Sequence, residues 1–184
     1  MSVENTKRQM FWMKTGIAVV LVLLAAGLRI APHPWNLTPI GAMALFSGAI
    51  FKEKWMKFGL PVAALFAGDV VVGFHKLMPF VYMSFLLSVA IGMWLEEDRK
   101  VRRIAVATTI GAAQFFVVTN FAVWVAFDTY PKTPAGLGLC YLAGLPLFWN
   151  TLAGDAMYAA LLFGGYALAE RAIFKLRTGS EIPA

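Results

Sequence analysis

A chain of 184 residues that is 60% hydrophobic and only 14% charged falls well below the roughly 25% charged content of an average soluble domain. With a mean hydropathy of +0.70, this composition excludes a soluble domain. It indicates one all-α, polytopic membrane bundle over residues 1–184, with short cytoplasmic tails at 1–10 and 170–184. The single cysteine, Cys140, excludes an internal disulfide.

At the N-terminus, Lys7, Arg8 and Lys14 precede the apolar run from Gly16 to Leu28, a pattern shared with cleaved signal peptides. Phe11 to Ile30, however, supplies twenty residues with only Lys14 and Arg29, toward its two ends, charged, enough to cross a bilayer. The segment is read as a retained helix. Five further apolar segments follow: Leu37–Phe51, Met56–Phe74, Phe80–Leu95, Ile104–Phe127 and Tyr141–Leu168. The second of them opens with the polar, proline-stiffened stretch His33 to Pro39. It continues through small residues, among which Ala44 and Gly48 share a face on which another backbone can approach closely. On the last segment, Ala156, Ala160 and Gly164 recur every four residues and are expected to form a packing seam of the same kind.

Charge sets the expected topology. Six crossings with the N-terminus inside put thirteen of the sixteen basic residues in inner segments. These are Lys7, Arg8 and Lys14; Lys52, Lys54 and Lys57; Arg99, Lys100, Arg102 and Arg103; and Arg171, Lys175 and Arg177. Only Arg29, Lys76 and Lys132 fall outside. The split follows the positive-inside rule and places both termini in the cytoplasm. It also accounts for the formal charge of +6, so nucleic acid is not an expected partner. The loop Glu96 to Arg103 reads as a solvated cytoplasmic turn. Asp128 to Gly138, with Pro131 and Pro134, reads as an external connection.

Polar side chains are costly in hydrocarbon, so their positions are informative. Arg29, His33, Asn36, Asp69, His75, Tyr82, Asn120, Trp124 and Asn150 all fall toward the expected outer ends of their segments. The inner halves are almost purely apolar. These nine are the candidate binding residues. Arg29 and His33 would take an anionic or polar group, Asp69 would accept hydrogen bonds or balance Arg29, Asn120 and Asn150 would orient the ligand, and Tyr82 and Trp124 would stack on it. Asp155 carries Thr151 and Tyr158 on its face and reads as structural. His33, His75 and Cys140 match no metal-ligand spacing, and no HExxH, GxSxG or P-loop occurs. No metal, cofactor or catalytic residue is therefore expected.

The stretches PHPWNLTPIGAMALFSG, PFVYMSF, QFFVVTNFAVW, YPKTPAGLGLCYLAGLPLFWNTLAGDAMY and LLFGG resemble a bacterial integral-membrane family of unknown function, over about Arg29 to Gly165. That family is distantly similar to the substrate-binding (S) components of energy-coupling factor vitamin transporters. The resemblance implies a multi-pass protein of the bacterial inner membrane that binds a small molecule from outside for uptake. It also implies a transmembrane coupling subunit with ATPases as partner. S components dock through small residues of the first helix, here Gly16, Ala18, Ala25, Ala26 and Gly27. Two other functions fit the same polar residues. One is a membrane enzyme using Asp69 and His75 on a lipid or quinone-like substrate, and the other is a non-catalytic assembly subunit.

The charge split predicts the outcome of thiol labelling in intact cells. In a Cys140→Ser background, single cysteines at Ser2, Asp98 and Gly179 should resist an impermeant reagent, and one at Lys132 should react. Labelling at Asp98 but not at Lys132 would invert the topology.

Overall fold

The computed structural model describes residues 3–29 and 36–179. Among them all regular structure is helical: α1 Val3–Leu28, α2 Ile40–Ile50, α3 Lys54–Val72, α4 Met78–Met93, α5 Val101–Ala126 and α6 Pro134–Gly179. The six apolar segments of the sequence each become one helix. Four of these, α1, α3, α5 and α6, are long and apolar enough to cross a membrane. α2 and α4 are shorter apolar helices of 11 and 16 residues.

The chain reverses direction at each connection. Arg29, after α1, pairs with Asp69 near the end of α3, and Tyr82 near the start of α4 bonds the same carboxylate. At the opposite end Lys57 pairs with Glu96, and Lys14 of α1 lies 2.7 Å from Glu170 of α6. The connections α1–α2, α3–α4 and α5–α6 thus share one end of the bundle, and the other end carries most of the basic residues.

Packing is inverted relative to a soluble protein. In the four long apolar helices only 17–33% of the most hydrophobic window is buried. Leu23, Leu24, Val70, Val71, Val72 and Leu161 stand exposed on the outer surface. Trp12, Trp55 and Trp94 are exposed at the basic end, where interfacial indoles sit in membrane proteins.

The exception is α2. Its residues Ala42 to Ala49 are all buried, and it touches every other helix. A helix that is apolar all round belongs in the interior. Small residues let it fit there. A Cβ on Gly48 would run into the carbonyl oxygen of Val89 and lie 3.0 Å from the amide of Met93. A Cβ on Gly92 would meet the carbonyl of Leu45 and lie 2.9 Å from its Cα. The backbones of α2 and α4 are therefore in direct contact, each through the other's missing side chain. Farther along, Phe46 packs edge-on against Phe163 and Tyr166 of α6, with ring centroids 5.3 and 5.7 Å apart.

Two expectations are corrected. Ala156, Ala160 and Gly164 are exposed, and Gly164 has open space around it, so they form no seam inside this chain. The buried face of α6 carries Asp155, Ala159, Leu162, Phe163 and Tyr166 instead. α6 also begins at Pro134 rather than Tyr141. Thr133 accepts a 3.1 Å bond from the Gly136 amide, which is an N-cap with proline at the first helical position. Of the small residues on α1, Ala18 and Ala25 pack in the core and Gly16 and Gly27 face open space.

Gly92→Ala and Gly48→Ala should each destabilise the detergent-purified protein by about 1–3 kcal/mol through overpacking, and Gly164→Ala should not. Leu162→Ala should lower the unfolding temperature and Ala160→Leu should leave it near wild type. Equal effects of Gly92→Ala and Gly164→Ala in thermal unfolding would remove the α2–α4 contact from this account.

Candidate functional site

Two aspartates inside the bundle organise the end where the cavity lies, and each follows a glycine in the triplet Ala-Gly-Asp. In Ala67-Gly68-Asp69 of α3, the glycine makes room for Arg29. A Cβ there would lie 2.7 Å from Arg29 Nη1. Asp69 then accepts a bond from Arg29 Nη2 through one oxygen and from the Tyr82 hydroxyl, at 2.7 Å, through the other. Arg29 Nη1 donates to the Leu65 carbonyl at 2.8 Å. The pair is buried, with side-chain exposures of 11% for Arg29 and 2% for Asp69, where an ion pair needs such extra hydrogen bonds to offset desolvation.

In Ala153-Gly154-Asp155 of α6, the glycine lets the chain pass at residues 37–38. A Cβ would lie 3.1 Å from Leu37 Cα and 3.3 Å from the Thr38 amide. Asp155, 3% exposed, accepts the Ala42 amide at 3.1 Å. The start of α2 has no side-chain cap of its own, since Pro39 stands at its N-cap. A carboxylate from another helix takes that role, satisfying orphan amides at the positive end of the helix dipole. Gly41 is required here, because its Cβ would collide with the carboxylate. The two triplets thus anchor the α1–α2 connection at both ends. Asn36, in the described part of that connection, has φ +62°, a conformation that asparagine tolerates better than most residues.

Beside these anchors lies a cavity of about 380 Å³. Thr38, Ile40, Gly41 and Asp155 border it on one side. α4 contributes Val81 and Ser88, α5 contributes Gly111, Phe115, Phe116, Thr119, Asn120 and Val123, and α6 contributes Leu147, Phe148 and Thr151. Arg29, Asn36, His75 and Leu77 border it from the connections. Between Gly111 and Val123 the α5 wall rises about 18 Å. Most of the wall is apolar or aromatic, with a few polar groups, as small-molecule sites are built. Phe116 and Phe148 lie 5.2 Å apart, and Tyr141 lies 5.6 Å from Phe116.

Of the nine candidate residues, Arg29, Asn36, His75 and Asn120 line this cavity. Asp69 and Tyr82 stand behind Arg29 and hold it. Trp124 does not line the cavity. Its indole N–H donates to the Pro131 carbonyl at 2.8 Å, and Lys132 stands 5.8 Å over its ring while donating to the Trp124 and Phe127 carbonyls. Tryptophan and lysine together close the end of α5 onto the α5–α6 connection. Asn150 is half-buried beside Thr151 and is not part of the lining. His33 lies outside the described residues. Thr38, Gly41, Ser88, Gly111, Thr119, Thr151 and Asp155 line the cavity without being among the nine candidates; the signal in the sequence that could find Asp155 is the repeated Ala-Gly-Asp triplet.

At the floor of the cavity, Gln114 Nε2 donates to the Ser84 carbonyl and to Ser88 Oγ, each at 2.9 Å. Among the described residues, no three His, Cys, Asp or Glu side chains stand close enough to hold a metal ion.

A model of a family of unknown function (DUF6580) matches residues 9–177. The chain belongs to this family. The match covers α2 to α5, most of α1 and α6, both Ala-Gly-Asp triplets and every described residue of the cavity lining. No curated protein and no solved structure matches the chain, so the family assignment brings no activity with it.

Losing the Asp69 charge should expose Arg29 in a desolvated position. Asp69→Asn is expected to cost about 3–5 kcal/mol in thermal or denaturant unfolding, and the double change with Arg29→Gln should recover most of that loss. Additive effects of the two substitutions would show that the two residues do not act as a pair.

Proposed function

We propose that this family member is a six-pass protein of the bacterial inner membrane, with both termini cytoplasmic, that binds a small molecule in the cavity for uptake. The cavity carries the reading. It is a concave, mostly apolar site with a few polar groups fixed by buried anchors, and it opens where the α1–α2, α3–α4 and α5–α6 connections meet. The positive-inside split supports an outward orientation for that end. The two short helices fit a crossing in which α2 spans only part of the bilayer and its polar connection completes the path beside the cavity.

The resemblance to S components supports the further reading that the protein works with a transmembrane coupling subunit and its ATPases. Gly16 and Gly27, on the open face of α1, are the small residues left available for such docking. The proposed role is binding rather than catalysis. Both oxygens of Asp69 are engaged, by Arg29 and Tyr82, which leaves it poorly placed to act with His75 as an acid–base pair.

A ligand screen by thermal unfolding of the purified protein tests this reading. A ligand at a hundredfold its Kd stabilises its target by about 2.7 kcal/mol. At least one small polar molecule should stabilise the wild type and fail to stabilise Val123→Trp, in which an indole fills the cavity from a half-buried position. Stabilisation of both proteins alike would place binding elsewhere.

A further inference from the structure

We infer that the ligand is a small organic cation, an amine-bearing molecule with an aromatic or aliphatic body, and not an anion. This rests on the binding role proposed above and adds the chemical class of what is bound. Along the α5–α6 wall both threonine hydroxyls and one N–H of the Asn120 amide are already engaged. The Thr119 hydroxyl donates to the Phe115 carbonyl at 2.7 Å, Asn120 Nδ2 to the Phe116 carbonyl at 2.9 Å, and the Thr151 hydroxyl to the Leu147 carbonyl at 3.0 Å. A threonine oxygen fixed in this way offers the cavity only lone pairs. This wall therefore offers mainly acceptors, and a ligand that brings N–H groups matches it.

Formal charge points the same way. Among the described residues, the lining carries one arginine and one carboxylate, Arg29 and Asp155. The charge of Arg29 is balanced directly behind it by Asp69, which leaves the buried carboxyl of Asp155 as the other group of formal charge in the lining. The amides at the start of α2 offset its ionised form only in part. An anion entering the cavity would meet lone pairs and a carboxylate, with its only described cation already paired. An ammonium group would meet acceptors on one side and the rings of Phe116 and Phe148 on the other, whose faces attract cations.

The test uses three probes of one skeleton: phenethylamine, 2-phenylethanol and 3-phenylpropionate, titrated against the full-length protein in nanodiscs, with binding read from ligand-dependent unfolding. Phenethylamine should bind at least tenfold more tightly than either of the others. Thr151→Val, which replaces the accepting hydroxyl by a methyl group, should weaken phenethylamine about tenfold; Thr119→Val serves the same purpose should the first variant fold poorly. Equal or tighter binding of 3-phenylpropionate overturns the cation class and leaves a binding role standing. Failure of all three probes on the wild type also overturns it, whereas the binding role itself is decided by the Val123→Trp screen.

Discussion

The contact between α2 and α4 is the constraint on which the rest of this bundle depends. A helix of 11 residues is about 16 Å long and too short to hold itself in place across a membrane. It is held from all sides instead, and the closest of those contacts is backbone against backbone at Gly48 and Gly92. In a membrane, where burying apolar surface drives helix association little, such close van der Waals contact is a main source of attraction. α1, α3, α5 and α6 then arrange themselves around a centre that the glycines have already fixed.

Once α2 is central, its first turn becomes a problem that other helices solve. Amides pointing into an apolar interior need partners, and Pro39, at the N-cap of α2, supplies none. Asp155 reaches in from α6, while Asp69 holds Arg29 at the other end of the connection. The same three-residue device, a small residue, a gap and a carboxylate, is used twice. Each copy admits a piece of the α1–α2 connection and then binds it. The cavity is the space left between that pinned connection and the α5–α6 wall.

Much of the fold was legible in the sequence because hydropathy in a membrane protein is one-dimensional information. All six helices lie where apolar runs predicted them; α1 begins and α6 ends in polar sequence beyond those runs, and α6 also begins early because Pro134 is not a loop residue like Pro131 but stands first in the helix behind a threonine cap. Faces were less legible. The spacing of Ala156, Ala160 and Gly164 shows that they share a face but not which way it turns, and in the fold it turns outward. The site was legible in part. Arg29, Asn36, His75 and Asn120 reach the cavity, because polar residues near the ends of apolar segments gather there. Trp124 and Asn150 satisfy the same rule without lining it, since a position one step along a helix turns by 100°. Asp155 looked structural by depth alone, and it is; its carboxylate nonetheless forms part of the cavity wall.

The depth of the cavity has an electrical consequence. In the proposed orientation, a ligand resting against Gly111 has travelled about 18 Å along α5 into a hydrocarbon layer about 30 Å thick, more than half the way across. It therefore sits within the membrane field rather than in front of it. A full crossing is worth about 2.3 kcal/mol per elementary charge for every 100 mV, so an energised membrane, negative inside, would draw a monovalent cation to the cavity floor with somewhat more than 1 kcal/mol per 100 mV. Occupancy of such a site follows the voltage of the cell as well as the concentration outside it.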